Sequence, residues 1–470
     1  TTFFGVSKDK LADTAMAISA RNFLGFNYLG NSANLLQGKV MNLLEGEKGK
    51  WFNKRYLLTA ESIYLNDWNS IIKDIGSYVP KSLTNILIEK FIDTSMDFSG
   101  FTNNVMANKK MRRMTDEGYG NSLNASAEHY IQSTLMYAHL NSIKMKNKNG
   151  DYVNEDGNVV EKKDALSLAK AYELKDGQAV FNNDFYPDGM EEMNLLEIES
   201  EISFRIKDII ADDHGNHDPR NKSQIQRRWY GVLFNFMRKW VIRTTLSRYR
   251  GISGSLKKYE DLSIEDKNFS VAKGSFQEGT YTSFVRFGYQ QMKNVKSLQF
   301  DLLTRDWKTL TEEEAGNIRA VVLELGILAA SWASSTLLYL LAQKAKDEDE
   351  EELEALIYNF AYLSERLQGE LTFYYPIVNW RDVKRIAKDP SPVINTLSLI
   401  MEVLEQMIPV GFDYEDGFKV ISPWTEEYKT GKRKGKNKLM EKSMKLFISP
   451  YKNVIDATAK EKFNYLKNAK

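Results

Sequence analysis

Residues 320–342, "AVVLELGILAASWASSTLLYLLA", form a run of 23 residues with a single charge, Glu324. As a helix, at about 1.5 Å per residue, the run is about 34 Å long. That is enough to cross a bilayer core of about 30 Å. A helix that is apolar all round cannot rest on a surface in water. The run therefore has two outcomes: a central helix covered by the rest of the chain, or a conditional membrane span. Glu324, Ser331, Ser334, Ser335 and Thr336 make it a poor span, because a charge near the bilayer centre costs about 3 kcal/mol, although Glu324 lies near one end. The small residues Gly326, Ala329, Ala330, Ala333 and Ser334 let a second helix approach closely in either setting. Both outcomes hold at different times if the protein changes environment. In the membrane outcome Leu325, Ile327, Leu328, Trp332 and Leu337 are the expected lipid contacts.

Helices dominate elsewhere too. Only 9 prolines interrupt 470 residues, so long helices are permitted almost everywhere. "NSANLLQGKVMNLLEG" (31–46) and "PKSLTNILIEKFIDTSMDF" (80–98) repeat apolar residues at spacings of three and four. Pro80 suits a first helical turn. In "EEMNLLEIESEISFRIKDIIA" (191–211), Leu195, Ile198, Ile202, Ile206 and Ile209 fall on one stripe. Further helices are expected after 353, from the N-cap Asn379, and from the N-cap Ser391 followed by Pro392. Two stretches differ. "DYVNEDGNVV" (151–160) alternates around Asp156-Gly157, a pair that favours a tight hairpin turn, and "FDYEDGFKVI" (412–421) repeats the device.

These patterns predict a mainly α, multi-lobed helical assembly with one or two small β-hairpins. The expected divisions are an N-terminal helical region (1–145), a hairpin excursion (146–165), a central helical region (166–318), an apolar helix with a helical hairpin region (319–410), and a hairpin with a basic tail (411–470). A chain of this length exceeds one ordinary core. With 42% hydrophobic and 27% charged residues it reads as folded rather than disordered.

The central region contains a helix expected over about 222–250. Residues 221–250 carry eight Lys or Arg and no acid. At about 100° per residue, Arg228, Lys239, Arg243 and Arg250 fall within about 60° of each other. Trp229, Leu233, Phe236, Met237 and Trp240 cover the neighbouring face. Such a helix can pack with a solvated basic back, hold nucleic-acid phosphates, or lie on a membrane surface. A second basic patch, with Lys432, Arg433, Lys434, Lys436 and Lys438, lies in 428–445, where eight Lys or Arg face one acid, Glu441.

Catalysis finds no support. The chain has no cysteine, which removes disulfides and thiolate chemistry. No phosphate loop, nucleophile elbow or zinc-protease helix occurs. His214 and His217 with Asp212, Asp213 and Asp218 are the one dense set of metal-ligand types. They fall in a turn at no recognised spacing and read as turn chemistry, so no catalytic residue, metal or cofactor is assigned. His129 and His139 read as structural.

Several stretches, taken in order, resemble large virion proteins of crAss-like bacteriophages. In "HGNHDPRNKSQIQRRWYGVLFNFMRKWVIRTTLSRYRG" these are Gly215-Asn216, Asp218, Met237-Arg238-Lys239-Trp240 and Arg248-Tyr249-Arg250, with His217 where an aromatic is expected. "YLSERLQGELTFYYP" with Glu370 and Pro376, "DPSPVINTLSLI", and the tail "EEYKTGKRKGKNKLMEKSMKLFISPYKNV" continue the series. The likeness covers roughly 100–460. It implies a particle protein carried in the capsid interior or tail and ejected with the genome into the host envelope or cytoplasm, aiding DNA delivery. It also implies multiple copies and other virion proteins as partners (portal, tail, other cargo), with packaged DNA and host membrane as further contacts. The alternative is a fixed tail or portal component that is never ejected. The start at Thr1-Thr2 reads as a piece of a longer, processed chain.

Overall fold

The computed structural model describes residues 2–3, 6–7, 27–74, 81–92, 122–181, 184–214, 244–245, 247–251, 278–297, 299, 306–347, 350–372, 403, 410–413, 417–420, 427 and 434–447. The fold is mainly α. The helices are α1 (Tyr28–Lys48), α2 (Lys54–Lys73), α3 (Leu83–Ile92), α4 (Ser122–Ser142), α5 (Leu195–Asp213), α6 (Thr280–Lys296), α7 (Glu312–Asp347), α8 (Glu351–Thr372) and α9 (Lys438–Phe447). Among the described residues, strands occur only as antiparallel pairs, none longer than four residues.

Local chemistry sets the helix starts. Asn27 and Asn53 cap α1 and α2 by accepting backbone N–H groups of their first turns. Asn194 and Glu197 form a reciprocal capping box on α5. Thr311 and Glu314 do the same for α7: each accepts the other's backbone N–H, at 3.1 and 2.8 Å. Gly49, at φ 72°, ends α1 in the left-handed region. For α3 the first helical residue is Leu83, with Ser82 Oγ accepting from Asn85 N; Pro80 lies outside the described residues.

The first expected hairpin turn is present, and the second expected hairpin is seen in its paired strands, with residues 414–416 outside the described residues. Asn154 N–H bonds Asn158 O at 3.0 Å around Gly157 (φ 79°), and Val153 pairs with Val159. The strands Val410–Asp413 and Gly417–Val420 pair antiparallel, with Gly417 opposite Asp413. A third hairpin lies outside the sequence expectations: the strands Tyr172–Lys175 and Gln178–Phe181 join through Asp176-Gly177. Both turn residues have positive φ, 51° and 76°, as a two-residue primed turn requires.

One large core unites α2, α3, α4 and α5 with the Tyr172–Phe181 hairpin, around Leu87, Phe91, Leu135, Met136, Leu140, Ile202 and Ile206. The α5 stripe Ile198, Ile202, Ile206 and Ile209 is buried there as its spacing predicts. Helix α1 lies between this core and a second helical group. One side of α1 meets α4, where Gly38 faces Ile131 so closely that a Cβ would sit 2.2 Å from Ile131 Cδ1. The other side meets α7 and α8 through Val40, Met41 and Leu44. Helix α6 packs on α7, and α7 and α8 form an antiparallel hairpin.

Candidate functional site

The apolar run lies inside α7, a helix of 36 residues. Its inward seam follows coiled-coil spacing: Asn317, Val321, Glu324, Leu328, Ser331, Ser335, Leu338, Ala342 and Ala345, in alternating steps of four and three. All are buried or half-buried. The seam is unusually polar. The facing seam of α8, with Tyr358, Ala361, Glu365, Gln368 and Leu371, is polar as well. Ser335 Oγ donates to Glu365 Oε1 at 3.1 Å, and Gln343 Nε2 donates to Tyr358 OH at 3.0 Å. Ala342 and Ala361, both fully buried, bring the helices close.

The outward surface has the opposite character. Trp332, Leu337 and Leu340 are 60%, 58% and 60% exposed, against 3% for Glu324. Only 22% of the most apolar 18-residue window of α7 is buried. The far half of α8 adds exposed Leu353, Leu356 and Phe360. This departs from the pattern of a soluble helix, which turns its apolar stripe inward and its charges out.

Glu324 is held by two elements. Arg248 Nη2 donates to Glu324 Oε1 at 3.2 Å, and Tyr281 OH donates to Oε2 at 3.0 Å. Arg248 Nε reaches Tyr281 OH at 3.3 Å, and the guanidinium lies 5.7 Å from the Tyr281 ring centroid. All three side chains are buried. Nearer the start of α7, Arg286 pairs bidentately with Glu278 at 3.0 Å and also bonds Glu314. Burial, with Glu314, Glu278 and Glu45 nearby, pushes the Glu313 carboxyl up to about 7 against the pull of Lys50.

The expected site residues that are described fall on different surfaces. Of the lipid-contact set, Leu325, Trp332 and Leu337 are exposed, whereas Ile327 and Leu328 pack against the α1/α8 cluster. Of the phosphate set, Arg250 and Lys434 are exposed; Arg228, Lys239, Arg243, Lys432 and Arg433 lie outside the described residues. Sequence reasoning placed Arg248 in a basic cluster and missed its role as the partner of Glu324. A lone acid in an apolar run signals that a buried cation must meet it, but nothing in the spacing identifies which one.

His214 ends α5, and its Nε2 donates to Asn42 Oδ1 at 2.9 Å; His217 and Asp218 lie outside the described residues. Asp213 is buried 4.0 Å from Lys48 Nζ, and burial beside Glu45 holds its carboxyl well above the usual range. Among the described residues no group of three or more His, Cys, Asp or Glu is placed to hold a metal ion. His129 accepts from Tyr64 OH at 2.9 Å and donates to Asn85 Oδ1 at 3.0 Å. Comparison of the chain with protein-family models, curated proteins and solved structures finds no match.

Proposed function

We propose that the chain is a helical particle protein of a crAss-like phage, packaged as cargo in the capsid or tail and released with the genome to aid its passage across the host envelope. The order of motifs described above is the ground for the phage assignment. The observation that carries the reading is the set of apolar helix faces left uncovered among the described residues. On α2 these are Leu58, Leu65, Trp68 and Ile72; on α6, Val285, Tyr289 and Met292; on the α7/α8 hairpin, Trp332, Leu337, Leu340 and Phe360. A chain that works alone in water rarely leaves several such stripes open, and one that works inside an assembly or at a membrane does. Exposed Arg250 and Lys434 keep a role in contacting packaged DNA in play. The same stripes on α2 and α6 favour a second reading, a fixed tail or portal component joined by helix packing.

The test is quantitative mass spectrometry of purified particles. Several copies of the chain per particle are expected. Absence from particles overturns both readings.

A further inference from the structure

The far half of the α7/α8 hairpin poses a sharper question than the other open faces. A protein partner needs one apolar stripe, and the rest of such a helix then carries charges for water. Between Leu325 and Gln343 there is no Asp, Glu, Lys or Arg on any face, over 19 residues. At about 1.5 Å per residue the charge-free length is about 28 Å. Of the hydroxyl groups in this stretch two turn inward and two, Ser334 and Thr336, are exposed. Ser331 and Ser335 sit in the seam, Ser335 on Glu365, while Trp332, Leu337, Leu340 and Leu341 face out. Charges return at both ends: Glu324, held by Arg248, and then Lys344 and Lys346. A long charge-free surface that carries exposed large apolar side chains, with the charges gathered at its ends, is the arrangement of a helix that lies in lipid.

We propose that the acyl region of a lipid bilayer is the occupant of this surface. The direction of entry follows from the turn between the helices. Asp347, Glu350, Glu351 and Glu352 lie at that end and would have to cross the hydrocarbon if the hairpin entered tip first. The hairpin therefore enters side-on. The two helices stay paired, Glu365 stays covered by Ser335, and Leu353, Leu356 and Phe360 extend the lipid-facing flank. Lys344 and Lys346 reach back toward the headgroups along their aliphatic stems.

This deepens the particle-protein reading by naming its membrane surface. It is tested on the isolated chain, so it can fail or hold separately from the particle census. The absence of cysteine makes single-site labelling clean. Ala333→Cys, on the outward face, carries an environment-sensitive fluorophore, and Asn66→Cys, exposed on α2, is the control. The full chain is mixed with phosphatidylcholine/phosphatidylglycerol vesicles. A blue shift and protection from an aqueous quencher are expected at 333 and not at 66. Leu337→Arg puts a charge where the folded chain already meets water, so circular dichroism is unchanged while vesicle partitioning falls roughly a hundredfold. A label at 333 that stays accessible with vesicles in excess overturns the proposal. So does a blue shift that grows with protein concentration without vesicles, which assigns the surface to a second copy of the chain. Partitioning unaffected by Leu337→Arg overturns it as well.

Discussion

Replacing Arg248 by Met keeps the aliphatic stem of the side chain and removes the charge that meets Glu324. The Glu324 carboxylate then remains buried with one described donor, the Tyr281 hydroxyl at 3.0 Å. Removing one member of a buried ion pair costs about 3–5 kcal/mol, chiefly because the other charge is stranded. Tyr281 stays in place, so the expected cost is at the lower end, about 3 kcal/mol. The cost should appear first as easier opening of α7, because Arg248 and Tyr281 hold it from outside the helix. Hydrogen exchange read by mass spectrometry reports such opening without a two-state assumption. At about 1.4 kcal/mol per tenfold, amides over 317–328 should exchange roughly a hundredfold faster in Arg248→Met. Adding Glu324→Leu removes the stranded charge, and the double variant should return to within about tenfold of the parent. If Arg248→Met leaves exchange unchanged, or the two costs simply add, the pair does not hold α7.

Three further outcomes follow from buried groups and close contacts. Glu313 binds a proton more tightly folded than unfolded, so its contribution to stability is present below the ordinary carboxylate range and is lost as pH rises toward about 7; Glu313→Gln should flatten the fall in melting temperature between about pH 5 and pH 8 and raise it at the upper end. His129 and His139 are pushed down to about 4 by burial. The unfolded chain takes up those protons below about pH 6.5, so stability falls with pH through that window by up to about 3 kcal/mol for each histidine; His129→Gln and His139→Gln should each weaken the acid dependence of a urea midpoint. A Cβ at Gly316 would sit 1.9 Å from the Lys48 carbonyl oxygen, whereas one at Gly326 meets nothing within 4 Å. Gly316→Ala should thus lose about 1–3 kcal/mol, and Gly326→Ala should gain about 0.5–1 kcal/mol, both read by thermal melting.

The parts that sequence made legible are those governed by local rules. The α5 stripe, the α1 and α3 helices, the hairpin turn at Gly157 and the pairing of Val410–Asp413 with Gly417–Val420 follow from spacing and backbone chemistry within a few residues. The hairpin at Asp176-Gly177 obeys the same rule and was overlooked because its flanking strands mix apolar and charged residues on exposed faces. What spacing could not supply is which distant partners meet. Gly38 against Ile131 and Gly316 against Lys48 are long-range contacts, and each glycine looks unremarkable in its helix. The apolar run left two outcomes open, burial or lipid, because composition does not say which residues turn inward. The structure adds that Glu324, Ser331 and Ser335 take the inner seam while Trp332, Leu337 and Leu340 do not. Arg248 was legible as basic, but its burial depends on where α6 and α7 bring Tyr281 and Glu324.

The proposed release of the chain with the genome is tested by mass spectrometry of purified particles before and after triggered genome release. Loss of this chain's peptides from the emptied particles, in step with the DNA, is the expected result. Retention at full stoichiometry contradicts release and makes the chain a fixed part of the particle.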